Sequence, residues 1–355
     1  MTDLPPRALL LVPGDLATPT GGYGYARRLL TAAAGEGFIL RHWPLPGGFP
    51  RPAAAAIAET ERRLCLLPVG WPAIIDGLAL GVLPPQVIEA AGTPVIALCH
   101  HPLGFETGLT AAEAAPLLAS ERAALATCAA VITTSETTAV TLREHFHVDP
   151  ARITVAQPGT DPAPQARGSG GATPRLLAIG SLTPRKGHDV LIAALATLSD
   201  LDWRLTVHGP APDQDYRDAL MARVVAAGLG DRIALEGPAD ADTLATAYDQ
   251  ADVFVLASRY EGYGMAYTEA LARGLPVVGC ATGAVAEATR GAACLVPPDA
   301  PEALAEALRP LIVDRAARER LAARSRIAAA ELPGWGETAA AVAGAVAAVL
   351  AGQRA

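Results

Sequence analysis

Lysine is nearly absent from this chain: of 28 lysine and arginine residues all but Lys186 are arginine. Positive charge is scarce overall, since 36 acidic residues leave a formal net charge of −8. That balance argues against a nucleic-acid partner, whose phosphates need a basic surface. Cysteine is sparse and odd in number, at 65, 99, 128, 280 and 294. None are spaced as zinc ligands, so buried free thiols in a reducing compartment are expected. There is no polybasic cluster: residues 1–160 carry ten arginines against thirteen acidic residues, which gives anionic lipid little to hold. The longest uncharged apolar tract, TAAAVAGAVAAVLAG at 338–352, is short and alanine-rich for a membrane span. A packed helix is expected there. The opening MTDLPPRALLLVPG reads as a first strand rather than a leader. The expected location is the cytoplasm, with a peripheral contact at the inner membrane face left open.

What is present is a two-domain α/β pattern. With 355 residues the chain exceeds one simple core. Short apolar runs alternate with helical patterns, the mark of βαβ units and parallel sheets. ALLLV (8–12), PVIALCH (94–100) and AAVITTS (129–135) are expected strands, with a helix from about Gly22 to Ala34. QPGTDPAPQARGSGGATP (157–174) has a linker's composition. A second series follows: RLLAIG (175–180), WRLTVHG (203–209), RIALEG (232–237), DVFVLAS (252–258), PVVGC (276–280) and ACLVPP (293–298). From Trp335 onward one more helix is expected. In doubly wound sheets ligands bind at the carboxyl ends of the strands, so the loops after these runs are where chemistry belongs.

Lys186 sits in such a loop. GSLTPRKG (180–187) joins a strand to the helix HDVLIAAL, whose first N–H groups and dipole attract phosphate. Arg185 adds a planar fork and Lys186 a point charge, a pair suited to a diphosphate. SRYEGYGMAYTEALARGLPVV (258–278) places Glu261 just after a strand and Glu269 eight positions on, roughly two turns into a helix. That spacing corresponds to about 12 Å if much of the interval is helical. Gly262 and Gly264 let backbone N–H groups approach a ligand. Asp-x-Asp occurs at 200–202, 213–215 and 240–242; the middle one is expected to cap a helix and the others to lie in polar loops, so no metal site is expected. The glycines of GGYGYA lack the spacing of a dinucleotide fingerprint.

The Glu-Gly-Tyr-Gly-Met pattern at 261–265, the second glutamate and EALARGLPVV resemble the retaining glycosyltransferases of family 4. GSLTPRKG, VITTSETT, QPGTD, GLPVVGCATGAVAE, TGGYGYARRLL and VIALCHHP extend the resemblance along nearly the whole chain. It implies an α/β GT-B architecture: two Rossmann-like doubly wound domains facing across a cleft. The implied domains are 1–160 on the acceptor side, a linker at 161–174, a nucleotide-sugar domain at 175–332, and a helix at 333–355 returning to the first domain. It further implies transfer of a hexosyl unit from a UDP- or GDP-linked sugar to an acceptor hydroxyl, with retention and without a metal or other cofactor. Arg185 and Lys186 would neutralise the leaving diphosphate, Glu261 would hold the donor sugar, and Glu269 the ribose hydroxyls. Gly180, Gly262, Tyr263, Gly264 and Met265 would line the donor, and Gly21 and Gly22 would close over its phosphates. His100 is the best match to the family's catalytic histidine, which contacts the sugar near the reaction centre; His101 beside it is a donor-binding candidate, and which of the two faces the donor stays open. Two other readings remain open: an epimerase or hydrolase of sugar nucleotides on the same fold, and a binding module without catalysis.

Overall fold

The computed structural model describes residues 5–352. They form two compact units, one built from residues up to Gly159 together with those from Pro333 onward, the other Thr160–Leu332.

The first unit is a six-stranded parallel sheet in the order β2-β1-β3-β4-β5-β6. Its strands are β1 (Arg7–Pro13), β2 (Ile39–Leu45), β3 (Ala73–Asp76), β4 (Val95–Cys99), β5 (Ala130–Thr133) and β6 (Ile153–Val155). The central strands read as unbroken apolar runs because helices cover both sheet faces; β3, β4 and β5 are buried at every position. The strand order reverses between β1 and β3, and there the chain enters the helices Gly21–Ala33 and Gly77–Leu80. Ser135, at the end of the β5 run, accepts from the Thr138 N–H and so starts the helix Glu136–Phe146. The C-terminal helix Trp335–Gly352 packs on the helix Gly21–Ala33 and on β1, β5 and β6. Its length and apolar composition suit a bilayer, yet it buries Trp335, Ala339, Val342 and Val346 in this unit.

The second unit holds β7 (Arg175–Ile179), β8 (Arg204–His208), β9 (Ile233–Glu236), β10 (Val253–Leu256), β11 (Val277–Cys280) and β12 (Cys294–Val296). All are parallel, in the order β12-β11-β10-β7-β8-β9. Numbered within the unit, this is the strand order of dinucleotide-binding sheets, with the reversal between β7 and β10. Leu177, Trp203, Phe254 and Tyr267 are among the buried side chains of its core. The segment 161–174, expected as a linker, belongs to this unit. The Ala166 N–H donates to the Arg273 carbonyl, and Arg167 pairs with Asp249.

Three strands lie outside the sequence expectation. β2 is an edge strand carrying Arg41, His42 and Pro44, so its alternation is weak. β3 runs straight on into the apolar helix Gly77–Leu80, so no break marks it as a strand, and β6 is three half-buried residues with no alternation.

Candidate active site

β7 and β10 deliver their loops side by side where the strand order reverses. After β7 the chain makes a 3₁₀ turn, Pro184–Lys186, then the helix His188–Ala196. Gly187 between them adopts φ +64°, and a β-carbon there would lie 1.9 Å from the Ala257 carbonyl oxygen. The close approach therefore requires glycine, and it sets the turn directly on the end of β10. Buried His188 braces the turn from within: its Nε2 lies 3.2 Å from the Ser181 carbonyl oxygen. Burial pulls this imidazole down to about 4, so at neutral pH it is uncharged and donates to that carbonyl.

Arg185, Lys186 and Glu261 meet at this point. Lys186 Nζ donates to Glu261 Oε1 at 2.6 Å, and Ser258 Oγ donates to the same oxygen at 2.6 Å. Arg185 Nη1 stands 3.7 Å from Oε2 and donates to the Tyr260 carbonyl. Glu261 is buried. Burial by itself would raise its carboxyl, but Lys186 and Arg185, with the hydrogen bonds from Lys186 and Ser258, hold it below the usual range. The result is an ionised carboxylate beside two cations at the mouth of a helix N-terminus. Gly180 makes room for the Lys186 stem, since a β-carbon there would come within 3.2 Å of Cδ.

The remaining second-unit residues occupy the loop and helix after Glu261. Gly264, at φ +101°, ends the loop and starts the helix Met265–Ala272. Glu269 consequently lies just over one turn into that helix, not two, because residues 262–264 are loop. Glu269 is half-buried, accepts from Tyr248 Oη at 2.8 Å, and burial raises its carboxyl above the usual range. Tyr263 is buried, while Gly262 and Met265 keep partial exposure. The loop 282–284 closes over Glu261: the Ala284 N–H donates to its carbonyl, and a β-carbon at Gly283 would lie 2.1 Å from that oxygen.

In the first unit, His100 follows β4 and Asp76 ends β3. His100 Nε2 lies 3.5 Å from Asp76 Oδ2, and the Asp76 side chain also accepts from the Leu78 N–H. Gly22 sits against the His100 ring, where a β-carbon would be 3.5 Å from Cδ2, and Tyr25 meets the ring edge-on at 5.0 Å. Gly21 opens the same helix and is exposed. His101 is half-buried in the turn that follows His100.

Sequence reasoning passed over Ser258, Arg259, Asp189 and Asp76. Ser258, Arg259 and Asp189 follow expected strands or open the helix after one, so the strand-end rule could have found them; Asp76 ends β3, a strand the sequence pattern did not mark. The Asp-x-Asp runs are helix starts in two cases: Asp213 accepts from the Tyr216 N–H and Asp240 from the Thr243 N–H. Asp240 was expected in a polar loop and instead caps a helix. Among the described residues no group of three or more His, Cys, Asp or Glu is arranged to hold a metal.

Comparison with known proteins follows the same division. The profile described as Glycosyl transferases group 1 matches residues 173–314, and that described as Glycosyltransferase Family 4 matches residues 25–164. A D-inositol 3-phosphate glycosyltransferase of Kineococcus radiotolerans is 32% identical over 223 residues, covering 55% of this chain and 51% of its own length. Mannosylfructose-phosphate synthase of Agrobacterium fabrum is 37% identical over 110 residues, 29% of this chain and 24% of that protein. The chain spans about half the length of the D-inositol 3-phosphate glycosyltransferases it matches. Among solved structures, sucrose-phosphate synthase from Thermosynechococcus elongatus superposes with a TM-score of 0.84 at 21% identity, covering 98% of this chain and 100% of the other. Anabaena HepE in complex with UDP and glucose gives 0.76 at 17% identity, covering 96% and 99%. Both share the fold.

Proposed function

Since the chain belongs to the group 1 glycosyltransferases of GT-B fold, we propose that it moves a hexosyl unit from a nucleoside-diphosphate sugar to an acceptor hydroxyl, with retention at the anomeric carbon. The observation that carries this reading is the meeting of Arg185, Lys186 and Glu261 where the strand order reverses between β7 and β10.

The diphosphate leaving group gains negative charge as the glycosidic bond breaks. Arg185, Lys186 and the N-terminus of the helix His188–Ala196 are fixed partners for that charge, stronger in the transition state than in the ground state. Their two positive charges take the role a metal plays elsewhere, which makes the reaction metal-independent in this reading. Glu261, held ionised, accepts from donor-sugar hydroxyls and stabilises positive charge on the ring. The acceptor hydroxyl attacks from the face the diphosphate leaves, and a departing phosphate oxygen takes its proton. Glu269 takes the ribose hydroxyls, with Gly262, Tyr263, Gly264 and Met265 against the donor. The family resemblance assigns Gly21, Gly22, His100 and His101 to donor contacts of the same reaction. HepE, whose structure holds UDP and glucose, makes UDP-glucose the first donor to try.

Release of UDP or GDP from a panel of sugar nucleotides, with and without hydroxyl acceptors, tests the reading. Acceptor-dependent release is expected, and Lys186→Ala is expected to lower kcat on the order of a hundredfold to a thousandfold. Epimerised donor, release indifferent to acceptor, or binding without turnover would each replace transfer with another activity. Unchanged turnover in Lys186→Ala would remove the role given to that ammonium.

A further inference from the structure

Arg259 stands two residues before Glu261 and touches several of the loops at the carboxyl ends of the strands. Its guanidinium forms a two-pronged pair with Asp189, Nη1 to Oδ1 at 3.0 Å and Nη2 to Oδ2 at 2.9 Å. Nε donates to Asp299 Oδ1 at 2.7 Å, and Nη1 also donates to the Pro184 carbonyl at 2.5 Å. The main chain continues the pattern. The Arg259 N–H donates to the Arg185 carbonyl at 2.8 Å, and the Arg259 carbonyl accepts from Thr282 Oγ1 at 2.7 Å. Asp189 is held in turn by Tyr216 Oη at 3.3 Å. This one residue, its side chain 20% exposed, thereby joins the loops after β7, β10, β11 and β12: the side chain reaches the β7 and β12 loops, and the main-chain carbonyl holds the β11 loop.

The turn that Arg259 grips needs an outside hold. Pro184–Lys186 is a single 3₁₀ turn with no side-chain cap at Thr183, and short 3₁₀ pieces are weakly held by their own hydrogen bonds. It also carries two adjacent cations, Arg185 and Lys186, which repel each other. A planar fork bonded at both prongs fixes orientation as well as distance, and a lysine ammonium lacks that geometry.

We propose that Arg259, acting with Asp189, is the positioning residue that sets Arg185 and Lys186 against Glu261 and so aligns both cations with the donor diphosphate. The catalytic consequence rests on the transfer reading above; the mechanical one does not. Loss of the fork frees the turn, so the leaving group loses its aligned charges while the acceptor is untouched.

The test uses the full chain with Arg259→Ala, Arg259→Lys and Asp189→Asn. Hydrogen–deuterium exchange at amides 182–189 is expected to quicken on the order of tenfold or more in Arg259→Ala, with the strands β1 and β4 unchanged. Millimolar guanidinium ion is expected to restore protection in Arg259→Ala but not in Asp189→Asn. Donor KM is expected to rise and kcat to fall, together on the order of tenfold to a hundredfold, at constant acceptor KM. A general folding defect would instead lower kcat alone, through the active fraction. Should Arg259→Ala fail to fold, Arg259→Lys keeps the charge, loses the fork, and is read the same way. Wild-type exchange at 182–189 in these variants, or donor and acceptor KM rising together, overturns the proposal. If the wild-type protein transfers no sugar but the exchange loosens locally and guanidinium restores it, the transfer reading falls and the positioning role stands.

Discussion

Lys186 lays its stem along Gly180 and its ammonium on Glu261, so the chain's one lysine is half of an ion pair. That was legible only in part. The residue types and their strand-end positions pointed to a phosphate site, but the direct pairing, and Ser258 as third member, depend on two loops 75 residues apart. Gly180 makes room for the lysine stem. Another buried carboxyl had no sequence signal. Glu121, in the helix Ala111–Thr127, accepts from the Leu103 N–H at 2.9 Å, and burial pushes its carboxyl from the ordinary 4.5 up to about 8. A folded-state value above the unfolded one favours the folded state at low pH. That contribution is complete below about 4.5 and lost as pH rises through about 8, on the order of a few kcal/mol. Thermal melts of wild type and Glu121→Gln at several pH values are expected to show a smaller fall in Tm for the variant, which keeps an acceptor for Leu103 and cannot ionise. Equal pH slopes would remove this role.

At the scale of elements, the strand–turn–helix after β7 was legible because a continuous apolar run, a Gly-bounded turn and a helical pattern agree. The strands β7 and β10 fall within the runs RLLAIG and DVFVLAS for the same reason. β2 and β3 were not legible, since edge exposure weakens the alternation of one and the other runs on into an apolar helix. The conformation of Gly187 is where turn and strand meet. Gly187→Ala would need a side-chain residue at φ +64° with its β-carbon 1.9 Å from a backbone oxygen. The left-handed backbone alone costs about 1–2 kcal/mol, and the clash forces the turn off β10. Calorimetry is expected to show a clear loss of Tm for the second unit together with weakened UDP or GDP binding. Gly230→Ala, where a β-carbon meets nothing within 4 Å, is expected to be neutral.

At the scale of the molecule, the chain crosses from the first unit to the second at 159–160 and returns at 332–333. Trp335 anchors the return: it is buried, meets Tyr25 edge-on at 5.7 Å, and its backbone lies so close to Gly159 that a β-carbon there would be 2.3 Å from the Trp335 nitrogen. Thr338 Oγ1 adds a hydrogen bond to the Gln157 carbonyl at 2.7 Å. Trp335→Ala is expected to cost about 3–5 kcal/mol, read as a downward shift of the first unit's melting transition with the second unit's unchanged. A uniform shift of both would contradict the assignment of this helix to the first unit alone. The sequence by itself determined the α/β class, the parallel sheets and the family, because apolar periodicity and loop motifs are local properties of the chain. It also singled out Arg185, Lys186 and Glu261 as residue types at strand ends. Only the tertiary structure decided which charges touch, that Arg259 ties four loops together, and that Glu121 is buried. Those outcomes depend on which distant segments the sheet order makes neighbours, and on how much water their packing removes.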